Sequence, residues 1–274
     1  MAKVRYARLT RREAMLSLAA GALSAAPQER RIDEVRRIAA PEANQAVAAD
    51  DTSLYAIGNH VIGRYDKKTG KRVAGWECES GKPLIHLDSG VVHEGTLYCA
   101  HSNYPGLPMV SSIEMWDAAT LRHTGSHSFG IFAGSATWVD IHQGYRYITF
   151  AHYRNAADEP GRDARWTTLM QFDSEWRQRQ AWVYPAEVIS RLGDYAISGG
   201  VFTPDHKLLC TGHDNAEIYV LALPESGSSL VLEDTFPVPL KGQGIALDPA
   251  DPELLYGIDR AKREIVAVRI GKGA

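Results

Sequence analysis

The sequence predicts an all-β chain folded as a five-bladed β-propeller, and three observations carry that prediction. A short apolar run recurs five times, at 54–58, 97–100, 148–151, 208–212 and 255–258. The intervals are roughly 43 to 60 residues, the period of a four-stranded blade. Each run follows a second β-rich run, at 45–49, 89–93, 135–140, 199–204 and 243–249. Helical periodicity is nearly absent, and 185–193 is the one segment read as a short helix.

Within each unit the first run is the innermost strand, facing the ring axis, and the apolar run is the second. The third strand ends in an aromatic residue and an aspartate: Tyr65 and Asp66, Trp116 and Asp117, Phe172 and Asp173. These aspartates repeat with the blade and are read as structural turn residues. Tight-turn chemistry at 66–70, 93–95 and 204–207 separates the strands. Trp76, Trp116, Trp176 and Trp182 are expected between blades, whereas Trp138, on a first strand, has two open placements, between blades or lining the channel. The glycine pairs Gly199 with Gly200 and Gly242 with Gly244 are read as close packing near the axis. They form no phosphate loop, because neither a lysine nor a helix follows.

The last unit, 243–270, supplies only three strands, and a lone strand at 32–39 precedes the first unit. That strand resembles 235–239, which ends the preceding blade, so it is expected to complete the C-terminal blade. Such closure leaves no open sheet edge. A six-bladed ring would need a further blade within 153–165, which is too polar to provide one. The expected unit is a single propeller domain over 31–272.

Lys3, Arg5, Arg8, Arg11 and Arg12 precede a weakly apolar stretch at 15–23, followed by the small residues Ser24 and Ala25. This reads as a signal peptide over 1–26. Residues 10–16 resemble the twin-arginine export motif, with Ala14 where a large apolar residue is usual. The expected location is the periplasm or the exterior. The 274 residues carry a net charge of −3, which gives no electrostatic case for nucleic acid. No apolar run reaches the roughly 18 residues of a membrane span. The expected protein is a monomer acting on a small molecule. Its three cysteines, Cys78, Cys99 and Cys210, form no disulfide or metal-binding spacing.

Three histidines close the apolar runs of consecutive units: His101, His152 and His213. If those ends converge at one mouth, the imidazoles can hold a divalent transition metal, with His86 or Gln243 as a fourth ligand and water in an open position. Imidazole does not choose among Zn, Mn, Fe, Ni and Cu. The metal would polarise a carbonyl or activate water. The same mouth supports a metal-free alternative, with His86 as a catalytic base and Asp259 or Arg260 orienting or neutralising the substrate. Asn59, Ser89, Asn103, Tyr104, Tyr153, Ser198, Asp214 and Gln243 are expected to bind substrate from the same rim. Asp88 and Asp259 are the carboxylates there, without a third, acid-type glutamate of the glycosidase kind. His93, His123, His142 and His206 fall in turns on the far face or at the outer edge. No nucleophile elbow is present.

The segments 86–93, 97–105 and 242–246, together with the blade pattern and the export signal, resemble a bacterial extracytoplasmic propeller group. This is the YncE-like and quinoprotein-like group, of the kind sometimes labelled cycloisomerase. The likeness covers most of the mature chain and implies the propeller fold. It transfers no catalytic residue, since propellers host many activities. The functional expectation is an exported enzyme with lyase, isomerase or hydrolase chemistry. Its substrate would be small and polar, carbohydrate-derived or carboxylated. The alternative is a non-catalytic module binding a sugar, peptide or protein partner.

Overall fold

The computed structural model describes residues 31–154 and 159–271; the segment read as an export signal, 1–26, lies outside them. The described chain opens with a single strand, β1 (Ile32–Ala39). Five antiparallel four-stranded sheets then form a ring. The first blade holds β2 (Ala46–Ala49), β3 (Ser53–Ile57), β4 (Val61–Asp66) and β5 (Arg72–Glu77). The second holds β6 (Leu87–His93), β7 (Thr96–Ser102), β8 (Ser111–Asp117) and β9 (His123–Gly130). The third holds β10 (Ser135–His142), β11 (Tyr145–Ala151), β12 (Thr168–Phe172) and β13 (Gln178–Val183). The fourth holds β14 (Gly199–Phe202), β15 (Leu208–Thr211), β16 (Glu217–Ala222) and β17 (Val231–Pro237). The expected helix is one short turn, α1 (Ala186–Ile189).

The fifth blade is completed as the sequence predicts. Its own strands are β18 (Ala246–Leu247), β19 (Leu254–Asp259) and β20 (Glu264–Ile270), and β1 pairs antiparallel with β20 from Ile32↔Ile270 to Ala39↔Glu264. Arg37 of β1 reinforces the seam, reaching Asp259 Oδ2 at 3.0 Å and Glu264 Oε2 at 2.9 Å. Asp259 therefore faces the seam and not the mouth, a correction to its expected catalytic place. Its neighbour Arg260, the first residue beyond β19, lines the cavity at the ring axis instead.

The apolar runs are continuous because each blade is covered on both faces by its neighbours. One core fills each blade interface. Tyr55, Ile57, Leu97 and Trp116 join blades one and two, and Ala100, Ile113, Phe150 and Phe172 join two and three. Trp138, Trp182 and Tyr219 join three and four. Leu209, Phe236, Ile245 and Val266 join four and five, and Tyr65, Ala56 and Ile258 close the ring. Each buried leucine, isoleucine, valine or phenylalanine among them contributes about 1.5–3 kcal/mol. Outer strands alternate instead, as in the exposed positions of β5 and β13. The repeated aspartates are turn residues: Asp66 and Asp117 each accept hydrogen bonds from the backbone N–H and hydroxyl of Thr69 and Thr120.

Trp138 does not line the channel. It is fully buried between blades three and four, over Gly200. A Cβ at Gly200 would lie 2.5 Å from Trp138 Cε2, which accounts for the glycine. Gly200→Ala is expected to destabilise the fold by about 1–3 kcal/mol through overpacking, read as a lower denaturation midpoint at unchanged slope.

Two innermost strands carry irregularities that set the site. Register shifts between Leu87 and Gly90 of β6 and between Ala136 and Trp138 of β10. A bulge re-aims a side chain; here Asp88 and Ser89 together face the single residue Ala100 in one strand, and Thr137 is the extra residue in the other.

Candidate functional site at the ring axis

At one end of the axis lies a cavity of about 350 Å³ lined by all five blades. Its lower tier takes one polar residue from the start of each innermost strand: Gln45, Asp88, Thr137, Ser198 and Gln243. Its upper tier takes one from each loop between second and third strands: Asn59, Tyr104, Tyr153, His213 and Arg260. The inter-blade connections add Ile85, His86 and Tyr195.

Asp88 is the central titratable group of the lower tier. It is buried, and its Oδ1 has no hydrogen-bond partner. Burial pushes its carboxyl well above the usual carboxylate range, against the opposing pull of the Arg260 charge and the Ser89 backbone N–H. His86 Nε2 lies 3.9 Å from Asp88 Oδ2. Burial pulls the His86 imidazole down to about 4, helped by the charges of His101 and Arg260. The pair thus sets a carboxyl whose hold on its proton is strengthened beside an imidazole whose hold is weakened, two groups whose environments push their proton affinities apart.

Arg260 is held by a stack. Tyr195 and His213 lie face to face, with centroids 3.8 Å apart and planes at 9°. His213 Nδ1 is 2.6 Å from Asp214 Oδ1, and Arg260 Nη1 donates to His213 Nε2 at 2.9 Å. With Nε2 accepting, the proton of the neutral ring sits on Nδ1 and points at Asp214. The opposite wall is aromatic: Tyr104 lies 5.0 Å from His86 and 5.0 Å from Tyr153, ring to ring. Burial and the neighbouring Asp88 push the Tyr153 hydroxyl upward. Gln45 Nε2 donates to Asn59 Oδ1 at 2.6 Å. Gln243 is buried with φ +70° and its Nε2 has no partner. A residue other than glycine in this region is uncommon, and such positions cluster at ligand sites.

Of the residues expected from sequence, His86, Arg260, Asn59, Tyr104, Tyr153, Ser198, Gln243 and His213 meet in the cavity. The three histidines do not converge. His101 sits within β7, and its Nδ1 lies 3.0 Å from Ser112 Oγ, which donates to Glu114. His152 Nδ1 lies 3.3 Å from Glu159 Oε2. Both nitrogens of His213 are engaged, by Asp214 and Arg260. Among the described residues no group of three His, Cys, Asp or Glu side chains is placed to hold a metal ion. The donor set does not fit the expected metal.

Three further residues leave the substrate-binding set. Asn103 clamps its own loop, donating to Pro108 O at 3.0 Å and accepting from Val110 N at 2.8 Å. Ser89 is buried against Gly244, where a Cβ would lie 2.6 Å from Ser89 Oγ. Asp214 is exposed and orients His213. Gln45, Thr137 and Tyr195 join the site without a sequence prediction. A polar residue at the onset of each innermost strand is the signal that finds the first two. His142 and His206, as expected, are at the surface, paired at 2.9 Å.

The fold and site define a five-bladed propeller with a polar axial pocket. No protein-family model matches the sequence, and neither does any curated protein. Among solved structures, a luciferin-regenerating enzyme superposes with a TM-score of 0.55 at 11% identity, over 89% of this chain and 95% of that one. Hydrazine synthase of Kuenenia stuttgartiensis gives 0.47 at 14% identity, over 82% of this chain and 70% of that one. The first of these likenesses supports the propeller fold. No helix among the described residues is long and apolar enough to cross a membrane.

Proposed function

We propose that this protein is an exported enzyme whose axial pocket performs acid–base chemistry on a small polar substrate bearing a carboxylate, in a reaction of the lyase or isomerase class. The observation that carries this reading is the buried Asp88 carboxyl, its Oδ1 without a hydrogen-bond partner, beside the neutral imidazole of His86. Arg260, which makes one hydrogen bond among the described residues, has N–H groups left to bind a carboxylate in bidentate fashion. Gln243 Nε2 supplies a further donor. His86 takes a proton from the carbon next to the carboxylate; Asp88 then delivers one to the oxygen leaving the neighbouring carbon, so that the C–H and C–O bonds break, a C=C bond forms and the protonated leaving group departs, or, in an isomerisation, returns a proton to the same carbon. The resulting imidazolium and carboxylate face each other, and one proton passed from His86 to Asp88 restores the resting state. No other reactant is consumed.

Proton exchange tests this directly. The full chain is incubated in deuterated buffer with a panel of hydroxy acids and sugar acids, and proton spectra follow the position next to the carboxylate. The wild-type protein is expected to exchange that proton with at least one acid, and His86→Gln is expected not to. Exchange that persists in both His86→Gln and Asp88→Asn would overturn the assignment. Neutral sugars or peptides that raise the melting temperature, with no acid exchanged, would favour a binding module instead.

A further inference from the structure

The mouth of the pocket is not uniform around the ring. On the side of blades four, five and one, its surroundings are polar: Arg260, His213, Asp214 and Asn59. On the side of blades two and three, exposed apolar side chains gather on neighbouring loops. Ile85 is 51% exposed, Leu107 46%, Ile131 44% and Phe132 82%. Other exposed apolar residues lie on outer strands, such as Val35, Val73 and Val231.

These loops are continuous with the pocket and with one another. Ile85 itself lines the cavity, as do Tyr104 and Pro105 at the start of the loop that carries Leu107. Asn103 fixes that loop through Pro108 and Val110, and Met109 anchors it in a small core with Tyr153 and Ala196. Its far end is tied to the loop bearing Ile131 and Phe132: Ser111 Oγ donates to Gly134 O and accepts from Ala136 N. The apolar side chains thus stand on pinned backbone and begin at the cavity wall.

We propose that the small polar group acted on in the pocket is the head of an amphiphilic molecule. Its carboxylate head sits at Arg260, and a straight acyl arm leaves the pocket past Ile85 and Pro105 to lie across Leu107, Ile131 and Phe132. This rests on the reading of Arg260 as the carboxylate site and adds the chemistry of the remainder of the molecule. An exposed apolar patch bordering a polar cavity marks a binding surface, and its continuity with the cavity assigns it to the same ligand.

The test is calorimetric titration of the full chain with straight-chain monocarboxylates from acetate to decanoate. Affinity is expected to rise up to about fourfold per added methylene once the chain passes the pocket. A Leu107→Ser, Phe132→Ser double variant, changed at exposed positions, is expected to flatten that rise and leave acetate binding unchanged. Affinity independent of chain length, or a rise unchanged in the double variant, overturns the amphiphilic substrate and leaves the head-group site intact. If no carboxylate binds the wild-type protein at any length, the Arg260 reading fails first. Sedimentation velocity of both proteins adds one arm: self-association present in wild type and lost in the double variant would assign the apolar surface to a second copy of this chain and overturn the proposal.

Discussion

Replacing Asp88 with Asn is expected to lower turnover of the true substrate by about 10²- to 10⁴-fold, the usual contribution of a positioned proton donor, while substrate affinity changes little. The same variant has a signature that needs no substrate. The folded Asp88 carboxyl keeps its proton far above the pH at which the unfolded one loses it. Raising the pH through this window therefore favours the unfolded chain, by about 1.4 kcal/mol per pH unit. Asn cannot ionise, so the stability of Asp88→Asn relative to wild type is expected to climb with pH from about 4 upward. It levels off where the folded carboxyl itself ionises. His86 works in the other direction. Its folded value is about 4, so its contribution is present at neutral pH and is lost as the pH falls from about 6.5 toward that value. Thermal melts of both proteins across pH separate the two. A difference curve flat in pH would show that Asp88 ionises normally and would remove it as the acid.

The second large effect is expected at Arg260. Arg260→Gln should weaken binding of a carboxylate ligand by roughly 10- to 100-fold, the range of a charge-assisted hydrogen bond. Arg260→Lys should recover only part of it, because an ammonium cannot make the paired contact. Tyr195→Ala acts through His213 and should produce a smaller loss in the same measurement. Equal affinity for Arg260→Gln and wild type would place the carboxylate elsewhere.

The blades were readable because each second strand is an apolar run with a fixed place between a polar onset and a turn, and because 32–39 had no partner until the last unit was found one strand short. The site was readable in part. The lower tier lies at strand onsets, where polar residues interrupt apolar runs, and Asp88 and His86 stand out in 86–93 for that reason. The three histidines misled because matching positions in a string do not fix direction. His101 is inside β7, which runs to Ser102, whereas β15 ends at Thr211 and leaves His213 two residues beyond it. A difference of one residue in where a strand ends reverses the face a side chain takes. The register shifts in β6 and β10 have the same character: no composition signal announces them, yet they place Asp88 and Thr137 at the axis and turn Trp138 into the interface. Asn103 was lost for another reason. An amide in a loop can serve a ligand or the loop's own backbone, and here the backbone satisfies it.

The seam between β1 and β20 also bears on how the ring is reached from a growing chain. The first strand to be synthesised among the described residues pairs with the last, so the contact of greatest sequence separation is also the one that seals the molecule. Loop-closure cost falls before such a contact can form. During synthesis β1 must therefore wait without its strand partner while four complete blades assemble behind it. Asp33 and Glu34, charged and exposed, make that waiting strand polar, the device by which unpaired strands avoid pairing with the wrong neighbour.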